Sequence, residues 1–97
     1  MLVMPKVIIF HEEGCQPCEE QIDTAERLAE TEDFELILVD VIEEWHRARD
    51  YNISKLPTVT ISTDTGQVIK QYEKKIGEQK LQYHLTKANE LQSDQSG

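Results

Sequence analysis

Apolar residues gather into short runs between polar stretches, and their spacing predicts seven elements. Val7-Ile8-Ile9-Phe10 is a continuous run of β-branched and aromatic residues, which suits a central strand buried on both faces. From about Gln16 to Glu30 the period changes. Cys18, Ile22, Ala25 and Ala29 recur at i, i+4, i+7 and i+11 with Leu28 beside them, which is one face of a helix. Phe34 to Val41 holds a second dense apolar run, so strand, helix and strand form a βαβ unit with parallel strands and a right-handed crossover.

Glu43 to Tyr51 reads as a second, short helix with Trp45 and Ala48 inward, Trp45 serving as core or rim packing. Thr58 to Ser62 is a strand, Asp64-Thr65-Gly66 a turn, and Gln67 to Tyr72 the returning arm of a hairpin. Pro57 stands at that strand's start, where its missing N–H is tolerated. Gly77 to Leu91 is helical along Leu81, Leu85 and Ala88, and Ser93 to Gly97 is a polar, frayed tail. The expectation is an α/β domain over 1–92, ordered β-α-β-α-β-β-α, followed by a tail over 93–97.

Composition narrows the function. Ninety-seven residues suffice for one core without scaffolding by metal or disulfides. A formal net charge of −9 opposes non-specific contact with nucleic acid, itself a polyanion. No apolar run approaches the roughly 20 residues of a membrane span, and Val7 to Phe10 is too short for a signal-peptide core. A cytoplasmic monomer without membrane contact is expected. In a reducing compartment a lone cysteine pair is catalytic or metal-binding more often than structural.

That pair stands in Gly14-Cys15-Gln16-Pro17-Cys18, between the first strand and the first helix. The unpaired N–H groups and dipole of a helix N-terminus favour an anion, and a thiolate there has its pKa lowered from the ordinary value of about 8.5. Cys15 precedes the first full turn and is the more exposed of the two, so it is assigned attack. Cys18 falls on the buried face and is assigned resolution. Three other readings stand beside disulfide exchange. A structural disulfide would close so short a loop for on the order of 2 kcal/mol. A zinc site would need ligands that His11, His46 and His84 do not offer at zinc-finger spacing. Inert core thiols are the third.

The strand ending in Phe10, the Cys15-Gln16-Pro17-Cys18 motif, the Leu56-Pro57-Thr58 step, Gly66 in the hairpin and Gly77 before the last helix together resemble the thioredoxin superfamily over nearly the whole chain. The resemblance implies a four-stranded mixed sheet flanked by helices and a cis peptide at Leu56-Pro57 stacked against the cysteines. It also implies substrate contacts at Gly14, Gln16, Pro17, Leu56, Pro57 and Gly77, the backbone near Leu56 pairing with an extended substrate strand. Cys15 carries over as nucleophile and Cys18 as resolving thiol. The implied partners are protein disulfides and a recycling disulfide reductase, with no cofactor and no metal.

Within the superfamily the chain is a hybrid. Its size and element order are similar to the glutaredoxin-type chassis, but its proline is third in the motif and Gly77 is single. Gly14 stands where thioredoxins usually have tryptophan, Ile9 about where they bury an aspartate, and Glu19 where a basic residue is common. Glu12, Glu13, Glu19 and Glu20 bracket the motif and either oppose thiolate formation, each modestly through water, or serve as ordinary solvated helix-start residues that favour the dipole. On the first reading a Cys15 pKa of about 7 to 8 is expected, that of a reductant or exchange catalyst favouring basic or neutral protein substrates over anionic glutathione. A redox-sensing or nearly inactive interaction module is the alternative.

Overall fold

In a computed structural model of the chain, residues 3–96 are described, with side chains through residue 90. Seven elements follow one another as expected: β1 (Lys6–His11), α1 (Gln16–Leu28), β2 (Glu35–Asp40), α2 (Trp45–Asp50), β3 (Thr58–Ser62), β4 (Val68–Tyr72) and α3 (Glu78–Ser96). The four strands form one mixed sheet in the order β2-β1-β3-β4. β1 is thus central, parallel to β2 with Phe10 opposite Val39, and antiparallel to β3 with Phe10 opposite Thr58. The β3–β4 hairpin turns at Gly66, whose φ of +97° suits a residue without a side chain. Ile69 is an extra residue in β4, because Ile61 pairs with Lys70 and Ser62 with Val68.

Alternation along β1 and β3 divides the core between the two faces of the sheet. Val7, Ile9, Val59 and Ile61 meet Ala25 and Leu28 of α1 and Leu81 and Leu85 of α3. Ile8 and Phe10 face the other way, against Val39, Tyr51, Ile53 and Leu56. On that second face β3 presents hydroxyls, and each is satisfied locally. Thr58 donates to the Lys55 carbonyl at 2.6 Å and Thr60 to Gln71 Oε1 at 2.7 Å, while Ser62 donates to the Thr63 carbonyl at 3.1 Å.

Three side-chain or boundary expectations are corrected. The buried stripe of α1 is Cys18, Gln21, Ala25 and Leu28, so Ala29 is exposed and a glutamine lies in the core. α2 spans only Trp45–Asp50, and Trp45 is 59% exposed rather than inward, because a helix of six residues reaches the sheet with few side chains. α3 runs to Ser96, past the expected end at Leu91, and no Gly or Pro interrupts it before Gly97, which lies outside the described residues.

Candidate active site

The site is built where β1 gives way to α1. After His11 the chain turns once, the Cys15 N–H donating to the Glu12 carbonyl at 3.3 Å. Gly14 makes this turn with φ at +86°, a left-handed conformation that strains any side-chain-bearing residue even though the space around it is open. Cys15 is the N-cap of α1, with extended φ and ψ of −88° and 101°, and its Sγ accepts from the Cys18 N–H at 3.2 Å. Sulfur thus occupies the position where serine or aspartate oxygen ordinarily satisfies a free N–H of the first turn. Pro17 lies in that turn, where its missing donor costs nothing.

Cys15 and Cys18 are joined in a disulfide, with Cα atoms 5.2 Å apart. Cys18 is fully buried, whereas Cys15 is partly exposed and within reach of an incoming molecule. The Leu56–Pro57 bond is cis. Because Thr58 pairs with Phe10, Pro57 enters β3 at the sheet edge from which His11 leads to the cysteines. Pro57 is buried, and Leu56 packs against Ile8, Phe10 and Val39. Gly14, Cys15, Gln16, Pro17 and Cys18 therefore fall within one turn, and the cis peptide shares their edge of the sheet.

Gly77 is placed differently. It borders an open polar groove of about 400 Å³ along α1, lined by Glu20, Asp23, Thr24, Arg27, Lys75 and Ile76. Sequence reasoning missed the residue that holds this segment. Gln21 is fully buried, and its Oε1 accepts from the Ile76 N–H at 2.6 Å, tying α1 to the approach to α3. The available signal was its place three residues after Cys18, on the helix face that must be buried.

The acidic rim is uneven. Glu12, Glu13 and Glu19 are exposed, and none forms an ion pair among the described residues. Glu20 is paired with Lys75, whose hydrogen bond and charge hold its carboxyl below the usual carboxylate range. On the far side of the sheet's α1 face, Tyr72 Oη and His84 Nε2 lie 2.8 Å apart, and burial with the charges of Lys70 and Lys80 lowers the His84 pKa. Among the described residues no three or more His, Cys, Asp or Glu side chains converge as a metal-ligand set. Nor is any helix among them long and apolar enough to cross a membrane.

Comparison with known proteins places these features. The thioredoxin family profile matches residues 3–87. No curated protein sequence matches the chain. Among solved structures, thioredoxin-2 of the malaria parasite superposes with a TM-score of 0.80 at 20% identity, covering 90% of this chain and 85% of that one. A thioredoxin mutant from Halobacterium salinarum gives 0.79 at 24% identity over 87% and 74% of the two chains. Fasciola hepatica thioredoxin gives 0.76 at 27% identity over 88% and 81%.

Proposed function

Since the chain belongs to the thioredoxin family, we propose that it reduces or exchanges protein disulfides through a mixed-disulfide intermediate on Cys15. The family and the Cys-x-x-Cys pair support thiol–disulfide oxidoreduction as the kind of chemistry. The finer reading rests above all on one observation: the partly exposed sulfur of Cys15 caps α1, while Cys18 is buried behind it. A sulfur that accepts an N–H bond at a helix N-terminus is favoured as thiolate, the form that attacks.

In the reduced protein the Cys15 thiolate attacks one sulfur of a substrate disulfide and forms a Cys15–substrate disulfide, and the other substrate sulfur leaves as thiolate. Cys18, deprotonated, then attacks Cys15 Sγ. The second substrate thiolate leaves and takes up a proton, and the protein is left with the Cys15–Cys18 bond that the structure contains. Two electrons have passed from the protein dithiol to the substrate, so a disulfide reductase must return two for the next cycle. The place of Leu56 supports a docking role, since it precedes the first paired residue of β3 at the end of the sheet where β1 leads to the cysteines, and backbone outside the ladder can pair with an extended substrate segment.

The test is reduction of insulin by dithiothreitol, with and without the protein, using Cys15→Ser as control. Acceleration that Cys15→Ser abolishes is the expected result. A folded wild-type protein that gives no acceleration refutes general protein-disulfide reductase activity.

A further inference from the structure

Two large apolar side chains stand exposed at the end of the sheet that carries the cysteine motif. Ile42 is 67% exposed, and Trp45, the only tryptophan in the chain, is 59% exposed. Sheet topology fixes their neighbourhood. β1 and β2 are parallel with His11 opposite Asp40, so the chain leaves both strands at the same edge. Asp40 then closes a tight turn: its Oδ1 accepts from the N–H groups of Ile42 at 2.8 Å and Glu43 at 3.2 Å, and its carbonyl from Glu44 N–H at 2.8 Å. Residues 42–45 are thereby held one turn beyond β2, as Cys15 is held one turn beyond β1.

The indole is oriented without being covered. The Arg49 guanidinium lies 5.3 Å from its centroid, and the His46 ring meets it edge-on at 5.7 Å. The motif itself lacks an aromatic anchor, since Gly14 offers no side chain. Charge at this edge has one prevailing sign. Glu12, Glu13, Glu19 and Glu43 are exposed and outside any ion pair among the described residues. Of the nearby cations, Arg47 is bound to Glu44 at 3.2 Å and Arg49 lies 3.6 Å from Asp50, while Lys55 is exposed near the cis peptide.

We propose that Ile42 and Trp45 form a docking patch for the substrate polypeptide, and that this site selects disulfides flanked by an apolar residue together with lysine or arginine. The proposal rests on the oxidoreductase reading and names its substrate class. An exposed indole gives an apolar side chain a rigid platform, as aromatic anchors do at protein interfaces. The unpaired carboxylates of the segments that leave β1 and β2 at this end of the sheet attract a cationic group and repel an anionic one.

The test compares two disulfide-linked peptides of equal length, one with Leu and Lys beside the cystine and the other with Leu and Glu. At low salt the Lys peptide is expected to have a kcat/KM roughly tenfold higher, a preference that collapses near 1 M salt, where the screening length is about 3 Å. W45A is expected to raise KM for the Lys peptide by about tenfold with kcat little changed. Equal constants for wild type and W45A, with peptide turnover intact, overturn the patch and leave the redox reading standing. If no peptide is turned over, the Cys15→Ser protein is titrated with the Lys peptide carrying serine in place of cysteine, and Trp45 fluorescence is followed. A saturable shift then supports docking apart from chemistry, and no shift overturns it. A shift that grows with protein concentration alone, together with a dimer in sedimentation, assigns the patch to a second copy and also overturns the proposal.

Discussion

Replacing Gln21 separates packing from hydrogen bonding at the joint between α1 and the segment before α3. Its Oε1 holds the Ile76 N–H at 2.6 Å, while its Nε2 has no protein partner among the described residues. Gln21→Met keeps most of the volume and removes both polar atoms. It orphans a backbone donor at a cost of about 1–3 kcal/mol and relieves a buried amide of a similar penalty, for a net change within about 1 kcal/mol. Gln21→Ala also deletes one methylene and the volume of the three-atom carboxamide, leaving a cavity, and is expected to cost about 2 kcal/mol in all. For a domain of this size, that lowers the melting midpoint by about 8–15 °C.

Gln21→Glu keeps the acceptor but buries an acid, whose folded pKa must rise above the unfolded value of about 4.3. Its stability should approach wild type near pH 4 and fall as pH rises, by at most about 1.36 kcal/mol per unit. Urea unfolding of the oxidised proteins between pH 4 and 7.5 measures all three. A Met variant as damaged as the Ala variant refutes the cancellation, and a flat pH profile for the Glu variant refutes the dry environment.

Two further outcomes follow from the site and from α3. Cys18→Ser should leave Cys15 able to attack but unable to be released, so mass spectrometry should find substrate covalently held on Cys15, and its absence would remove the assigned order of the two thiols. His84 has a lowered pKa, so its contribution to stability is complete above the ordinary value of about 6.5 and is lost as pH falls through the lower folded-state value. Wild type should therefore lose more stability between pH 7.5 and 5 than His84→Gln, and identical losses in chemical unfolding would show that His84 does not report burial against Tyr72, Lys70 and Lys80.

The element order was legible because each run carried its own period and its own stop. Val7 to Phe10 suits a central strand by its β-branched and aromatic content, and the hairpin follows from Asp64-Thr65-Gly66 between two apolar runs. The Cys15–Cys18 site was legible for a similar reason, since position at a helix start is written in the local sequence. What escaped depends on tertiary context. Gln21 falls on the buried face by helical period, but the donor that lets a glutamine sit there, the Ile76 N–H, lies far along the chain. Trp45 was read as inward because tryptophan usually buries most of its area, yet the turn capped by Asp40 sets it outside the sheet. Gly77 borders a polar groove along α1 that no local pattern in the sequence announces.

The outer strands of the sheet also govern how copies of this protein meet. A neighbouring chain adds itself to a sheet where an edge is flat, long and uncharged. β4 is neither flat nor neutral, being kinked by the extra residue Ile69 and carrying an exposed Lys70. β2 opens with the exposed Glu35 and ends at Asp40, whose carboxylate already caps the next turn. The segments most prone to cross-chain pairing, the apolar β1 and the β-branched, fully buried β3, lie between these guards with both sides occupied. Aggregation is thus tied to unfolding: the species that sticks is one in which β2 or β4 has peeled away and bared the strand behind it.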